Sequence, residues 1–330
     1  MKKIYILLIL FLFSSCAANL EEREYTRFST STLTIFDSVT SILGYATSQE
    51  EFDFFSNEII LQELFHFHRL FNKFNSFDGV NNIKTINENA GIKPVEVHPS
   101  IIELLLLGME AYYQTDGIVN IAIGSVTNIW RQHAVTNTLP QMDILIEASK
   151  LTRIEDVIID VNASTVFLRH EGMHLDIGSI GKGFAIEKAA QAAIDAGFES
   201  FTLSIGGDAR ITNAPKSEGR YSWGVGVINP ENPSEFIEAV FLTNTSIVTS
   251  GDYMRYFMVD GTRYHHIINP RTLMPANTAR SVTVIYPCSI VAENLSLAAF
   301  ILPLEEAKIL IQSHGAEAIW VLEDGSLTRV

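Results

Sequence analysis

The segment Leu175–Gly183 (LDIGSIGKG) brings three glycines and one lysine together where an apolar run meets a helical pattern. Glycines let backbone N–H groups approach a ligand closely, and a helix N-terminus favours an anion. The ammonium of Lys182 adds a point charge suited to phosphate. The segment lacks G-x-G-x-x-G, and Gly183 stands where a P-loop has Ser or Thr. Phosphate binding and an ordinary glycine-rich turn with an exposed lysine are therefore both open interpretations.

A second candidate is the histidine pair His265–His266, within a β-type run (YHHIINP, 264–270). Alternation along a strand sends one imidazole inward and the other outward. An inward histidine is more often a satisfied core residue than a catalyst. The sequence holds no cysteine-pair zinc signature and no H-E-x-x-H motif, and no Ser/His/Asp or Cys/His constellation follows from spacing.

Strands and helices must position these residues. Around the glycine-rich turn the pattern predicts a strand at Met173–Ile177, a helix at Phe184–Ala196 ended by Gly197, and a strand at Ser200–Ile205. Further strands are predicted at 236–242, 246–250, 255–259, 281–286 and 318–322, with a hairpin over 157–168. Further helices are predicted at 52–74, 100–116, 291–302 and 305–313, the second with a Ser100–Glu103 capping box. Strands and helices without strict alternation indicate an α+β fold with mixed, largely antiparallel sheets and packed helices.

Composition restricts the class of partner. The formal net charge is -15, so the chain lacks the basic footprint that nucleic acid requires. Hydrophobic residues make up 47% of the chain, enough for a core without disulfides. The two cysteines are Cys16 and Cys288.

The N-terminus has the pattern of an export signal. Lys2 and Lys3 precede an apolar stretch, Ile4–Phe13, which is of signal-peptide length and too short to span a bilayer. Small residues then lead into Cys16, which resembles a lipobox; an ordinary signal peptide with a chance cysteine is the alternative. We expect a signal peptide over 1–15, a lipid on Cys16, a polar tether over 16–30 and one catalytic domain over 31–330. This predicts an exported protein held at a bacterial membrane by its lipid.

Several segments, taken in order, resemble the ApbE family of FAD:protein FMN transferases. The segments that carry the resemblance are LDIGSIGKGFAIEKA (175–189), SIGGDAR (204–210), SIVTSGDYMRYF (246–257) and YHHIINPRTLMPA (264–276), with weaker support from 74–87, 117–130 and 281–302. The resemblance implies an enzyme that binds FAD and Mg²⁺, cleaves the pyrophosphate, and joins FMN by a phosphoester to a Thr or Ser of an acceptor flavoprotein. Its members are often exported lipoproteins.

The same resemblance assigns roles to individual residues. It implies FAD contacts at Phe74, Ile118, Val119, Asn120, Asp176, Lys182 and Ile267. It implies that the backbone carbonyl of Ser179 reaches the metal, and that His266 is the general base for the attacking hydroxyl, a role that a near-neutral pKa permits.

Three positions depart from the family pattern. Glu293 and Leu297 stand where the family's metal motif has Asp and Thr, and Asn269 replaces the Asp of its His-Ile-Ile-Asp-Pro segment. Leucine cannot bind Mg²⁺, which demands oxygen ligands in near-octahedral geometry. The sequence favours an active transferase. The alternatives are a Mg²⁺-dependent FAD pyrophosphatase, a lipoprotein that binds FAD without catalysis, and, least favoured by the motifs, an adhesion or structural lipoprotein.

Overall fold

A computed structural model describes residues 24–330 of the protein, with the side chain of Thr34 left out. The signal peptide predicted over 1–15 and the acylated Cys16 lie outside the described residues. The helices are α1 Gln49–Asp53, α2 Gln62–Phe71, α3 Ile83–Glu88, α4 Pro99–Gln114, α5 Gly124–Thr136, α6 Met142–Ser149, α7 Gly181–Asp195, α8 Ser289–Ile301 and α9 Leu304–Ser313, with a π-helical segment, Phe54–Leu61, joining α1 to α2 and a 3₁₀ turn at Ile154–Asp156. None of these is both long and apolar enough to cross a bilayer.

The strands form one large sheet and three small ones. They are β1 Thr26–Ile35, β2 Ser38–Ala46, β3 Val95–Glu96, β4 Val157–Asp160, β5 Thr165–Leu168, β6 Phe201–Ile205, β7 Asp208–Ile211, β8 Trp223–Ile228, β9 Phe236–Leu242, β10 Thr245–Gly251, β11 Tyr256–Val259, β12 Thr262–His265, β13 Ser281–Tyr286, β14 Glu317–Val321 and β15 Leu327–Arg329. The large sheet has the order β1-β2-β6-β7-β10-β13-β14-β15, and the small ones are β3-β5-β4, β8-β9 and β11-β12. All these pairings are antiparallel. The predicted α+β class is confirmed.

The large sheet is covered differently on its two faces. On one face, alternate strand residues such as Ile42 and Leu203 pack against α7, α2 and the π-helical segment, while Val282 and Val284 pack against α8. On the other face, Tyr45 and Ile247 pack against the inner side of the β8–β9 hairpin. Successive side chains of a strand point to opposite faces, and each face is covered here, so the central strands are buried on both faces.

The structure extends the first strand into the predicted tether. β1 pairs with β2 from Thr26 opposite Ala46 onward, and the Phe28 ring stacks on Phe52 with centroids 5.6 Å apart. Residues 26–30, which the sequence assigns to the tether, therefore belong to the sheet. Their Ser and Thr side chains are polar, yet β-branched residues and a partly buried phenyl ring favour a strand.

Two further sequence predictions differ from the structure. Residues 173–177 are extended but form no strand, because Leu175 exchanges hydrogen bonds with the side-chain amide of Asn87, at 2.7 and 3.1 Å. The N-cap of α4 is His98, whose Nδ1 accepts from the N–H of Ser100 at 3.2 Å, so the Ser100–Glu103 capping box does not form. Glu103 instead pairs with Lys188 on α7.

Candidate active site

Three charged side chains from three elements meet at the N-terminus of α7. Lys182, in the first turn of α7, makes a short ion pair with Asp208 at the start of β7. The Lys182 Nζ also lies 3.9 Å from Oε1 of Glu293 on α8. Burial opposes the charge of Lys182, but the two carboxylates outweigh it and raise the pKa of Lys182 above its ordinary value. Lys182 is therefore a fixed ammonium.

Glu293 caps α7 from the neighbouring helix. Its Oε2 accepts a hydrogen bond from the N–H of Gly183 at 2.8 Å, and α7 has no side-chain cap of its own. The second oxygen, Oε1, is buried and has no hydrogen-bond partner. Burial raises the pKa of Glu293 to about 7; Lys182 opposes this shift and Asp208 adds to it. The site thus holds a carboxylate oxygen with unused bonding capacity beside a cation.

Gly183 allows this contact by having no side chain. A Cβ at this position would lie 2.5 Å from the backbone oxygen of Ser289 on α8 and 3.0 Å from Oε2 of Glu293. The two helices approach so closely that only glycine fits between them.

A tight turn places Asp208. Gly206 and Gly207 connect β6 to β7 with φ of 62° and 98°, which is left-handed backbone that favours glycine. Asp208 is 2% exposed, and its Oδ1 accepts from the N–H of Thr249 on β10 at 3.1 Å. In the sequence Asp208 stands only as part of the segment SIGGDAR (204–210), with no role assigned to it, and the structure places its carboxylate at the centre of the site.

A second cluster surrounds Asp176, just before the glycine-rich turn. Its Oδ2 lies 2.6 Å from Nζ of Lys73 and accepts from the Thr127 hydroxyl at 2.7 Å, while Oδ1 accepts from the N–H of Gly178 at 3.1 Å. Burial works against this charge, yet Lys73 and the hydrogen bonds lower the pKa of Asp176 to about 2. Asp176 is therefore ionised, and it fixes the start of the turn that leads to Lys182.

Phe74 lies beside this second cluster. The Phe74 side chain is 45% exposed, the Arg131 guanidinium lies 4.3 Å from the ring centroid, and Lys73 lies 5.3 Å from it. An open aromatic ring flanked by two cations is suited to binding an anionic ligand that carries a planar ring. The structure thus brings Phe74 and Asp176 together through Lys73.

The adjacent histidines have different roles. Nε2 of His265 lies 2.6 Å from the carbonyl of Ala276, and Nδ1 accepts from the N–H of Ile267 at 3.2 Å. Because a carbonyl can only accept, His265 carries its proton on Nε2 and is a satisfied core residue. The predicted alternation is confirmed, since His265 is buried and His266 is exposed.

His266 has one nitrogen available. Its Nδ1 lies 3.2 Å from the carbonyl of Arg255, so Nδ1 carries the proton and Nε2 keeps its lone pair. The protein around the ring and then the Arg255 cation lower the pKa of His266 below its ordinary value, with a smaller effect from Lys182. His266 is a neutral base close enough to Lys182 for that charge to lower its pKa.

The remaining predicted FAD contacts are more deeply placed. Ile118 and Val119 are 2% and 0% exposed and belong to the same apolar cluster as Ile267, which is 6% exposed. The Asn120 amide donates to the carbonyl of Thr152 at 2.9 Å and accepts from the N–H of Ala122 at 2.8 Å. The side chains of residues 118–120 are therefore buried, the first two of them in one cluster with Ile267, and they do not line an open surface.

The predicted metal residues fall into two groups. The Oγ of Ser179 and Oε1 of Glu293 are buried polar atoms without a hydrogen-bond partner. Leu297 packs in the apolar cluster of α8, and the neighbouring Ser296 hydroxyl is bonded to Ser250 at 3.0 Å. Within residues 24–330, no group of three or more His, Cys, Asp or Glu side chains is arranged to hold a metal. Mg²⁺ bound with a pyrophosphate needs only one or two carboxylates, because phosphates and water supply the rest. Glu293 fits such a site and Leu297 does not.

Several site residues were not found by sequence reasoning. Lys73 and Arg131 lie outside the segments that carry the resemblance, and Thr127 and Arg255 lie within them but were assigned no role. Each enters the site through tertiary contacts. Tyr253 is a further member: burial raises the pKa of Tyr253 to about 12, and the charges of Asp208 and Asp252 add to the shift. Asp208 had a detectable signal, since it lies three residues after a predicted strand and within the segment SIGGDAR (204–210).

Comparisons with known proteins identify the family of this chain. The family model described as "ApbE family" matches residues 34–320. Among curated relatives, the FAD:protein FMN transferase of Treponema pallidum (strain Nichols) is 33% identical over 262 residues, covering 73% of this chain and 71% of the relative. The transferase of the same name from Klebsiella pneumoniae (strain 342) is 30% identical over 245 residues, covering 73% and 75%.

Solved structures show the same fold. The ApbE protein from Thermotoga maritima superimposes with a TM-score of 0.80 at 28% identity, covering 93% of this chain and 97% of that one. The flavin transferase ApbE from Vibrio cholerae superimposes with a TM-score of 0.79 at 19% identity and the same coverage. With the family model spanning most of the chain and the relatives sharing both sequence and fold, this protein belongs to the ApbE family.

Proposed function

We propose that the protein is an FAD:protein FMN transferase. A Thr or Ser hydroxyl of an acceptor protein attacks the phosphorus of the FMN half of FAD. The P–O bond of the anhydride breaks, AMP leaves with the electron pair, and FMN becomes attached through a phosphoester. The curated relatives carry this name, and the site supplies the groups that the reaction needs.

The observation that carries the proposal is the fixed ammonium of Lys182 at the N-terminus of α7. A pyrophosphate concentrates negative charge, and phosphoryl transfer depends on positioning and on neutralising that charge. Lys182 supplies a charge held by Asp208 and Glu293, and the 15-residue helix adds its positive end. Phe74, with Arg131 over its ring, offers an aromatic surface for the flat parts of FAD.

His266 supplies the base. Its Nε2 lone pair is free because Nδ1 is held by the Arg255 carbonyl. Its lowered pKa keeps the ring neutral at pH 7, so it can take the proton from the attacking hydroxyl. Arg255 itself is exposed and cationic beside this base.

Mg²⁺ is part of the proposal. When bound, it would neutralise charge on the phosphates. Among the residues of this chain, Glu293 would hold it through Oε1, which has no other partner, and the backbone of Ser179 lies at the turn before α7. Leu297 takes no part, since it packs among apolar side chains.

The place of action is also proposed. The N-terminal pattern supports export and a lipid on Cys16, which would hold the enzyme at a bacterial membrane where exported flavoproteins are its acceptors. The charge of -15 makes the lipid, and not attraction to anionic head groups, the means of attachment.

The test is release of AMP from FAD by the purified chain, with and without Mg²⁺ and with and without a flavoprotein that offers an acceptor Thr. We expect Mg²⁺-dependent AMP and an acceptor whose mass increases by one FMN. AMP without a change in acceptor mass would identify a pyrophosphatase. FAD binding without AMP under any metal would identify a flavin-binding lipoprotein and contradict the proposal.

A further inference from the structure

The β8–β9 hairpin has an outward side made only of apolar residues. Its inward side chains, among them Val225, Val240 and Leu242, pack against the large sheet. The residues of the opposite side, here called the hairpin face, are Gly224, Gly226, Ile228, Phe236, Ala239 and Phe241. Phe236 and Phe241 are 70% and 72% exposed, and their rings lie over Gly226 and Gly224.

This composition is unusual for a strand surface in water. A strand with one buried side normally carries polar residues on the other, which gives the alternating pattern of antiparallel sheets. Here neither strand places a charged or hydrogen-bonding side chain outward. Tyr221, just before β8, adds a side chain that is 84% exposed. A contiguous exposed apolar patch of this kind marks a surface that contacts something other than water.

The start of the described chain lies at the same hairpin. Tyr25 packs on the apolar cluster that includes Tyr45 and Trp223, the first residue of β8. The Tyr25 hydroxyl accepts a hydrogen bond from Lys216, and the Lys216 ammonium lies 4.1 Å from the ring centroid. Tyr25 follows Cys16 by nine residues, which can extend over at most about 30 Å. A lipid on Cys16 would keep this side of the sheet close to the bilayer.

We propose that the hairpin face rests on the lipid surface of the membrane that carries the Cys16 anchor. The inference rests on the lipid attachment proposed above and adds an orientation to it. Phenyl rings are suited to the apolar side of a membrane interface, and the chain's charge of -15 means that this face contacts lipid through its apolar side chains and not through attraction to head groups. Helices α7 and α8 pack on the opposite face of the sheet, so this contact leaves Lys182 and Glu293 on the side away from the lipid.

The experiment uses the full acylated chain in phosphatidylcholine vesicles, with brominated lipid as the quencher. The reporter is Phe241→Trp, and the matched control is Ile309→Trp on α9, because Ile309 is 67% exposed on the other side of the sheet. The native tryptophans, Trp130, Trp223 and Trp320, are 4%, 7% and 1% exposed and give a background measured with the parent chain. We expect brominated lipid to quench the Phe241→Trp chain and shift its emission to shorter wavelength, while the Ile309→Trp chain is unaffected.

Equal emission of the two chains in brominated vesicles would overturn the proposal. A blue shift that grows with protein concentration in the absence of lipid, or that appears only with an acceptor protein, would assign the face to a second copy or to the acceptor and would also overturn it. Retention of a Cys16→Ala chain on vesicles tests the anchor separately, and AMP release from FAD tests the enzyme separately. Neither result changes what the comparison of Phe241→Trp with Ile309→Trp decides.

Discussion

The backbone N–H of Gly183 donates a hydrogen bond to the carboxylate of Glu293 at 2.8 Å, across two helices that meet at the active site. The sequence resemblance assigns Glu293 to a metal, yet in the folded chain this residue also caps α7. The same side chain thus positions the helix that carries Lys182 and offers its other oxygen to a ligand.

Lys182→Met should weaken FAD binding. A hydrogen bond to a charged group contributes about 1.5–3 kcal/mol, so we expect the Kd to rise roughly 10- to 100-fold. Flavin fluorescence titration measures the change. Lys188→Met, six residues further along α7 and paired with Glu103 at the surface, is the control and should leave the Kd unchanged. An unaltered Kd in Lys182→Met would show that the pyrophosphate binds elsewhere.

His266→Ala should lower the rate of AMP release by about 10²- to 10⁴-fold, the usual contribution of a general base, with little change in FAD affinity. The parent enzyme should lose activity on the acid side only below pH 6.5, because the pKa of His266 is lowered from that value. A pH–rate profile of the parent and a binding titration of the variant test both parts. If the activity of the parent enzyme already falls as the pH is lowered toward 6.5, that loss would have to be assigned to a group other than His266.

Glu293→Asp combined with Leu297→Thr should raise Mg²⁺-dependent turnover, because it keeps a carboxylate at position 293 and adds the missing oxygen ligand at position 297, on the same face of α8. The hydroxyl introduced at position 297 enters an apolar cluster, so we expect the gain in turnover to come with some loss of folding stability. AMP release as a function of Mg²⁺ concentration is the measurement, with Leu297→Ser as a partial repair. Identical Mg²⁺ dependence in parent and double variant would place the metal on other residues.

Glu293 should also make stability depend on pH in the metal-free protein. Its folded pKa of about 7 exceeds its ordinary value of 4.5, so the carboxyl is protonated in both states at low pH and is ionised more easily in the unfolded chain. Stability is therefore lost as the pH rises from 4.5 to 7, by on the order of 3 kcal/mol. Glu293→Gln removes this loss. Denaturant unfolding in EDTA at pH 4.5 and pH 7 should show the variant gaining on the parent at the higher pH, and a difference that is the same at both values would refute the assignment.

Local sequence patterns predicted those helices and strands whose apolar residues recur at a regular spacing and that need no tertiary contact to be recognised. The strands at Phe236–Leu242 and Ser281–Tyr286 lie where the sequence places them, and α7 ends before Gly197 as expected. The strand predicted at 173–177 does not form, because the backbone of Leu175 bonds to the Asn87 side chain, 88 residues earlier. Local sequence patterns do not reveal such a contact.

The residues of the candidate site also fall into those that the sequence identified and those that it did not. Lys182 and His266 were found because each stands in a recognisable segment. Lys73 and Arg131 act through partners distant in sequence, and their own neighbours in the chain give no sign of it. The different orientations of His265 and His266 followed from strand alternation, but the free nitrogen of His266 depends on the carbonyl of Arg255.

The missing side chain at position 183 has a consequence for anyone who redesigns this enzyme. Because a methyl group there would collide with the carbonyl of Ser289, the spacing of α7 and α8 is set by a residue without chemistry of its own. In a mutational scan Gly183 should rank with Lys182 and His266, and library designs that diversify the metal position should leave it untouched.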